Sequence, residues 1–268
     1  MSRVSTTQLI FCALIGLGLC PIRTSDAQDR SNDPIRFVAW FGSDVKASPR
    51  ALMHQRPLQL GLATAGVVAT THFDKSWSNE LVTWHNREVM RIFEELGDAS
   101  AVRPAAVLIF AGSLLQDNSR VQDAAFASLE ALIFANLLTN ALKRISGRSR
   151  PWQDEGSDHW EPFSKSTSFP SGHATTAFAA VTPWLLYFPH PLSYAAVMTA
   201  AATSLSRVTL RHHWPSDVLA GAFVGYSVAS WLVRRHTDAA TRSSSTDLAR
   251  YFEPVIGPTR LGIKLNFR

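Results

Sequence analysis

The chain has 268 residues, 46% of them hydrophobic, and a formal net charge of +5 at neutral pH. This modest positive excess has no clustered basic stripe interleaved with aromatic residues, so it argues against nucleic-acid binding and suits an anionic small molecule or a lipid head group. The only cysteines are Cys12 and Cys20, near the amino terminus. The chain beyond them therefore cannot form a disulfide, a thiolate metal site or a cysteine nucleophile.

Residues 1–27 have the pattern of a secretory signal peptide. Arg3 precedes a short apolar stretch, Leu9 to Cys20, and small residues follow at Ser25 and Ala27. That apolar stretch is too short for a comfortable membrane span. We therefore predict export to the periplasm or cell envelope, with an N-terminal membrane anchor as the alternative.

Residues 28–56 mix charge, proline and aromatic residues without a clear period, and we predict an irregular or partly helical lead-in. From residue 57 to residue 236, apolar segments rich in alanine, leucine and phenylalanine alternate with polar connectors. No period-two alternation is present, so these segments predict an all-α domain, a helical bundle. The predicted helices are Leu58–Thr71, Glu80–Leu96, Pro104–Leu115, Ala124–Lys143, Ala174–Phe188, Leu192–Arg207 and Asp217–Val233.

The apolar segments leave the relation to a membrane open. The uncharged stretch from Val218 to Val233 falls just short of the roughly 20 residues that a spanning helix needs. Glu130 interrupts another apolar segment, and the mean hydropathy is only +0.01. These features favour a water-soluble or peripherally attached bundle. An integral membrane protein with its active site facing outward is the alternative.

The last 32 residues differ in composition from the bundle. Thr237 to Asp247 (TDAATRSSSTD) predicts a linker. Beyond it, apolar and polar residues alternate from Leu261 to Arg268. We therefore predict a small C-terminal β-hairpin that serves as a structural cap.

A first cluster of functional candidates is KRISGRSRP, Lys143 to Pro151. It places four cations where a predicted helix ends: Lys143, Arg144, Arg148 and Arg150. Taken alone, such a cluster is typical of a solvated helix C-terminus that complements the helix dipole.

A second cluster is FPSGH, Phe169 to His173, just before an apolar helix. Ser171 is a competent N-cap, and Gly172 allows another backbone to approach closely. The free amides of a first helical turn favour a bound phosphate. The alternative is a capped helix whose His173 is merely exposed.

The third cluster is SRVTLRHHWPSD, Ser206 to Asp217. Asp217 follows His213 by four residues, so its carboxylate could orient one imidazole nitrogen and leave the other free to react. The alternative is a helix–helix corner in which the acid only offsets the dipole of its own helix.

The three clusters together read K-x6-RP, PSGH and SR-x5-H-x3-D, in that order. This arrangement resembles the signature of the type 2 phosphatidic acid phosphatase and vanadium haloperoxidase superfamily. The resemblance covers about residues 96–235. Three spaced motifs are far more specific than any one of them.

The resemblance implies a metal-independent phosphatase of the acid phosphatase or lipid phosphate phosphatase type, with no cofactor. His213 would attack phosphorus to give a phosphohistidine, Asp217 would orient it, and His173 would act as acid and then as base. The phosphoryl oxygens would be bound by Lys143, Arg150, Arg207, Ser171 and Gly172.

Two other functions stay open, a vanadate-dependent haloperoxidase and a non-catalytic phosphate- or lipid-binding envelope protein. The substrate could be a soluble monoester, a lipid phosphate or a lipid diphosphate, and membrane association is possible. The loop between the first two clusters carries Trp152, Trp160 and Phe163. Their side chains could touch a lipid, although packing against the bundle is the ordinary expectation.

Overall fold

A computed structural model describes residues 34–53, 57–83, 87–257 and 260–265 of the chain. The predicted signal peptide lies outside the described residues. The helices are α1 (Ile35–Met53), α2 (Pro57–Thr71), α3 (Asp74–Val82), α4 (Arg87–Leu96), α5 (Ala99–Ser113), α6 (Ser119–Ser146), α7 (Gly172–Tyr187), α8 (Pro191–Thr209) and α9 (Pro215–Tyr251). A short 3-10 turn, Pro151–Gln153, follows α6. The predicted all-α bundle is confirmed.

The centre of the bundle is built from α6, α7 and α9, which pack on one another through small residues. Ala131, Ala135, Ala179 and Ala229 are fully buried in one hydrophobic cluster together with Leu232. Side chains of this size let helix backbones approach closely, and the close approach fixes the relative position of the helix ends.

Residues 35–53 of the predicted lead-in form one helix, α1, which fits the partly helical expectation, because Phe37 is buried against Phe110 and Phe126 and this anchors one face of the segment. The predicted helix Glu80–Leu96 differs from the structure, in which α3 ends at Val82 and α4 begins at Arg87. The predicted linker at residues 237–247 is wrong, since α9 continues through it to Tyr251. No proline or glycine occurs between Gly225 and Pro254, and the helix-propensity penalty of serine and threonine is too small to end a long helix.

Beyond α9 the chain forms two short strands, β1 (Phe252–Gly257) and β2 (Arg260–Leu265). They pair in antiparallel register, with Phe252 opposite Leu265 and Gly257 opposite Arg260.

Two helices in the described part of the chain are long and apolar enough to cross a bilayer, Ser119–Ser146 and Pro215–Asp238. Buried helices of a water-soluble bundle can meet the same length and hydropathy criteria. The outer helices also expose large apolar side chains. Leu108 on α5 is 72% exposed, Leu137 on α6 is 63% exposed and Leu192 on α8 is 76% exposed.

Candidate active site

The three motifs lie at helix ends that meet at one end of the bundle. Lys143 is in the last turn of α6, His173 in the first turn of α7, Arg207 in the last turn of α8 and Asp217 in the first turn of α9. The α6 end depends on Gly147, which adopts a left-handed conformation with φ of 55°. A β-carbon there would lie 1.6 Å from the Glu161 carbonyl oxygen, so glycine is required on both grounds.

The cations of the first motif converge on the loop that leads to α7. Lys143 Nζ donates a hydrogen bond to the Thr167 carbonyl oxygen at 2.5 Å. Arg150 Nη2 donates to Thr167 Oγ1 at 3.4 Å. The Lys143 side chain also passes beside Gly172, with its Cε 3.8 Å from where a β-carbon on that glycine would lie. The first and second motifs therefore form one surface.

Ser171 occupies the N-cap position of α7, but its side chain does not cap the helix. Its Oγ is buried and has no hydrogen-bond partner among the described residues. Its backbone N–H donates instead to the Asp217 carbonyl oxygen at 2.9 Å, which ties α7 to the start of α9. The hydroxyl is therefore free to bond to a ligand at the helix N-terminus.

The third motif folds back on itself between α8 and α9. The backbone N–H groups of His212 and His213 both donate to the Arg207 carbonyl oxygen, at 2.9 and 3.0 Å. The Arg207 side chain is only 4% exposed. This hydrogen-bonded turn holds the His213 backbone next to the Arg207 backbone, and the His213 imidazole lies near the charges of Lys143 and Arg150.

His213 is 2% exposed, and its Nδ1 has no hydrogen-bond partner among the described residues. Burial lowers the pKa of His213 to about 3, and the nearby charges of Lys143 and Arg150 act in the same direction. The imidazole is therefore neutral at neutral pH, as a nucleophile must be. Its Nδ1 lies 3.6 Å from Asp217 Oδ2, just beyond hydrogen-bond length.

The Asp217 carboxylate is held by groups other than His213. Its Oδ1 accepts from Arg148 Nη1 at 2.7 Å, and its Oδ2 accepts from Ser168 Oγ at 2.5 Å and from the Trp214 N–H at 2.9 Å. Asp217 is fully buried. These bonds keep the carboxylate ionised and fixed beside the imidazole.

Arg148 is a support residue that the motif analysis did not single out. It is fully buried, and its Nη2 donates to Asp74 Oδ2 on α3 at 2.6 Å. Asp74 in turn accepts bonds from the Ser216 N–H and hydroxyl at the start of α9. The Arg148 guanidinium also lies 4.6 Å from the centroid of the Trp160 ring. Arg148 therefore joins two buried carboxylates, and reading it as part of a solvated helix end was wrong.

His173 faces a carboxylate from a different part of the chain. Its Nε2 lies 3.2 Å from Oδ2 of Asp98, the residue that caps the N-terminus of α5. Burial lowers the pKa of His173, and the Asp98 charge partly opposes that shift. Asp98 therefore favours the protonated imidazole that a general acid needs.

A second carboxylate, Glu94 on α4, forms an ion pair with Arg207 Nη1 and lies 3.8 Å from His212 Nε2. The α4–α5 turn is seated tightly on α8. A β-carbon at Gly97 would lie 2.0 Å from Thr203 Cγ2, and Thr203 Oγ1 donates to the Phe93 carbonyl oxygen at 2.8 Å. Glu94 is thus positioned to compete with an anion for Arg207.

The structure brings the eight predicted residues to one end of the bundle: His213, His173, Asp217, Lys143, Arg150, Arg207, Ser171 and Gly172. Sequence reasoning missed Asp74, Glu94, Asp98 and Arg148. Asp98 carried a weak signal, since an aspartate before an apolar run is typical of an N-cap. Asp74 and Glu94 belong to no motif in the sequence.

Two of the three loop aromatics differ from the ordinary expectation of packing. Trp152 is 58% exposed and Phe163 is 80% exposed. Trp160 packs edge-on against Phe169, at 5.5 Å between ring centroids. The loop between the first two motifs therefore presents apolar surface to its surroundings next to the site.

Part of the chain is similar to a known protein family. Residues 124–240 match the PAP2 superfamily. The family resemblance predicted from the three motifs is confirmed by this match.

Individual relatives of known name match part of the chain. The lipid A 1-phosphatase of Rhizobium etli is 42% identical over 101 residues, which cover 35% of this chain and 43% of that protein. The undecaprenyl-diphosphatase of Sulfolobus acidocaldarius is 30% identical over 103 residues, which cover 38% and 48%. The chain therefore spans less than half the length of these curated relatives.

Among solved structures, the chain is similar to a transmembrane PAP2-type phosphatidylglycerolphosphate phosphatase from Bacillus subtilis. The TM-score is 0.50 at 24% identity, and the match covers 76% of this chain and 94% of that one. This likeness supports the helical fold. The family match ends at residue 240, so β1 and β2 lie outside the shared region.

Proposed function

We propose that this chain is a phosphatase that removes phosphate from a lipid phosphate or diphosphate through a phosphohistidine intermediate. One observation carries the proposal. Ser171 Oγ, Arg207 Nε and His213 Nδ1 are buried at converging helix ends without a hydrogen-bond partner among the described residues. An unsatisfied buried polar group costs about 1–3 kcal/mol. A phosphate bound among these groups, in the space between the helix ends that we call the cup, would accept from the first two groups and recover that cost.

Binding would place the phosphoryl group among fixed cations. Arg150 and Arg207 present planar guanidinium donors, and Lys143 supplies a point charge. The amides at the start of α7 add uncharged donors beside Ser171. The charge that develops on the phosphoryl oxygens is then stabilised by groups that need not reorganise, so the protein's own side chains do the electrostatic work.

In the first chemical step, His213 Nε2 would attack phosphorus. A P–N bond forms, the P–O bond to the lipid breaks, and His173 gives its proton to the departing oxygen. The neutral imidazole becomes a phosphorylated imidazolium. Asp217 stabilises that positive charge from the Nδ1 side, at 3.6 Å in this structure.

In the second step, His173 is neutral and can accept a proton from water. The water oxygen attacks phosphorus, the P–N bond breaks, and inorganic phosphate leaves with His213 restored to the neutral form. The proton gained by His173 readies it for the next cycle. No net proton is lost from the site over the two steps.

Several features support a lipid as the substrate. The side chains of Trp152 and Phe163 are exposed in the loop that joins the first two motifs, where a soluble monoester would have no use for them. The named relatives act on lipid A and on undecaprenyl diphosphate. We infer that an acyl or prenyl chain leaves the cup along this aromatic loop.

The same surface features support a place in the membrane. Two helices have the length and apolarity to span a bilayer, and large side chains such as Leu108 and Leu137 are exposed on outer helices. Apolar surface of this extent is typical of a membrane or partner interface. This inference replaces the water-soluble bundle that the sequence favoured. Export by a signal peptide and a periplasmic active site stay predictions.

The substrate class is tested with matched head groups. The full chain in detergent micelles is given dioleoyl phosphatidic acid, a polyprenyl diphosphate and glycerol 3-phosphate, and released phosphate is measured. We expect kcat/KM for a lipid to exceed that for glycerol 3-phosphate by about 100-fold or more, because the apolar chain adds buried area. Equal rates would refute the lipid assignment. Phosphate release from none of the three would refute the enzyme.

The intermediate is tested by trapping it. A His173→Ala variant given p-nitrophenyl phosphate, whose leaving group needs no acid, should accumulate phosphate on His213, detected by mass spectrometry of the peptide. Turnover without phosphate on His213 would contradict the proposed mechanism. Bromide oxidation by wild-type protein with vanadate and hydrogen peroxide would indicate the haloperoxidase alternative.

A further inference from the structure

A buried cluster of charged side chains lies far from the cup, on the other half of α9. It consists of Asp44 from α1, Glu130 from α6 and His236 from α9, each about 1% exposed. One ligand atom from each residue lies within 4.8 Å of those of the other two. His236 is 19 residues beyond Asp217 on one continuous helix, or about 28 Å along its axis. The cluster therefore takes no part in the proposed chemistry.

The hydrogen bonds of the cluster are incomplete. His236 Nε2 lies 2.9 Å from Asp44 Oδ2 and 3.3 Å from Glu130 Oε2. One imidazole nitrogen carries at most one hydrogen, so it can serve only one of the two carboxylates. Both Glu130 oxygens are buried and accept no hydrogen bond from the described residues. An ionised carboxylate left in this state is strongly disfavoured.

The surroundings hold two of these side chains from behind. Asp44 Oδ1 accepts from Arg235 Nε at 2.6 Å and from Ser43 Oγ at 3.3 Å, which leaves Oδ2 facing His236. The Trp40 ring stacks on the His236 imidazole at 4.3 Å between centroids, with planes 16° apart. Hydrogen bonds that orient an acidic ligand from behind are typical of metal sites. His236 Nδ1 makes no hydrogen bond among the described residues, so the imidazole is oriented by the Trp40 stack alone.

We propose that Asp44, Glu130 and His236 bind a divalent transition-metal ion of the zinc type. One nitrogen and two carboxylate oxygens form a ligand set that zinc accepts, whereas magnesium prefers all-oxygen octahedral sites. Ligands about 2.1 Å from a tetrahedral zinc lie about 3.4 Å from one another. The 2.9 and 3.3 Å separations at His236 Nε2 are close to that spacing.

Charge supports a cation at this position. With the imidazole in the neutral form that a metal ligand requires, two ionised carboxylates and the Arg235 guanidinium sum to −1, and a divalent ion would contact both carboxylates at once. The bound ion would join α1 to α6 and α9, so its role is to attach α1 to the bundle. The competing arrangement is a protonated His236 shared by the two carboxylates, a plain ion-pair network.

The test measures zinc itself. The full chain in detergent is treated with a chelator, desalted, and titrated with zinc while bound metal is counted by mass spectrometry. We expect wild type to bind about one zinc ion per chain through this cluster, and we expect its melting temperature to rise when zinc is added. In Glu130→Gln and His236→Gln, affinity for that zinc should fall by about tenfold or more. Cobalt in place of zinc should give visible absorption bands in wild type and lose them in Glu130→Gln.

The matched control is Glu155→Gln. Glu155 and His159 form an acid–histidine pair at 3.2 Å, but both side chains are 46% exposed. This variant should keep the zinc and the melting-temperature rise. If wild type binds no zinc, or if Glu130→Gln binds it as tightly as wild type, the proposal is wrong and the cluster is an ion-pair network. The wild-type measurement decides the matter even if a variant fails to fold.

Discussion

Two places along α9 each set a histidine beside buried carboxylates, with opposite hydrogen bonding. Next to the first turn of α9, Asp217 accepts three bonds from other groups and His213 Nδ1 makes none among the described residues. Near the middle of α9, Asp44 and Glu130 both face one nitrogen of His236. A carboxylate held by other residues leaves its histidine free to change charge and form a covalent bond. A histidine shared between carboxylates is instead fixed in place.

The largest expected effect follows from substitution of His213. His213→Ala removes the proposed nucleophile, so kcat on the best lipid substrate should fall by about 10⁴-fold or more. The melting temperature should change little, because Asp217 keeps its three hydrogen bonds. His236→Gln should show the reverse, with lower stability and nearly normal kcat per folded molecule. Substantial turnover in His213→Ala would contradict the assignment of the nucleophile.

A second effect concerns the support of Asp217. Arg148→Met leaves Asp74 and Asp217 buried without their shared cation, and breaking a buried pair in this way costs about 3–5 kcal/mol of unfolding free energy. Thermal and denaturant unfolding should both show the loss. Arg144→Met, which removes an exposed cation one turn earlier, is the control and should be near neutral. Equal stability of the two variants would show that Arg148 is not a support.

A smaller effect is expected from substitution of Glu94, which borders the cup. Glu94 forms an ion pair with Arg207 and is 25% exposed, and partly exposed pairs contribute about 0.2–1 kcal/mol. Glu94→Gln should therefore tighten inhibition by inorganic phosphate by up to about fivefold, because phosphate no longer competes with a carboxylate. Glu95→Gln, at the exposed neighbour, should leave the inhibition constant unchanged. Weaker phosphate binding in Glu94→Gln would make Glu94 a binding residue instead of a competitor.

The smallest expected effect is a shift in the pH dependence of kcat/KM. His173 acts first as an acid, so kcat/KM should fall as the pH rises through its pKa, which burial lowers from the ordinary 6.5. Asp98 opposes that lowering. Asp98→Asn should therefore move the alkaline limb of the kcat/KM profile to lower pH, while asparagine still caps α5. An unmoved limb would show that Asp98 does not act on His173. His213, with a pKa of about 3, should add no acid limb above pH 5.

The proposed active-site residues come from the resemblance of the three motifs to a known family, and each motif also lies at a helix end with its own local signals. Gly147 marks the end of α6, and Pro215 marks the start of α9. The residues that support or cover the site could not be predicted in the same way. Asp74 bonds to Ser216, 142 residues away, and that contact depends on how α3 packs against the bundle. No local pattern encodes such a pairing.

The sequence favoured a water-soluble bundle, whereas the exposed apolar side chains of the structure support the proposed place in the membrane. Mean hydropathy averages over charged loops and buried ion pairs, so the value of +0.01 understates the apolar character of the helices. In the structure, charges such as those of Arg148, Asp74 and Asp217 are paired inside the bundle, while Leu192 is on its outside. Burial, which hydropathy cannot report, decides which surface a bilayer would meet.

Helices α7 and α9 pack so closely beside the cup that neither could accept a larger residue at the contact. A β-carbon at Gly221 would lie 2.3 Å from the Ser171 carbonyl oxygen, and one at Gly225 would lie 2.5 Å from that of Thr175. A change of substrate range is therefore not expected to arise from substitutions at these two glycines. Even an added methyl group there would move the phosphate-binding start of α7 away from the His213 imidazole. Differences in substrate range among descendants of this chain are expected to arise in the parts that border the cup, the aromatic loop and the α4–α5 turn.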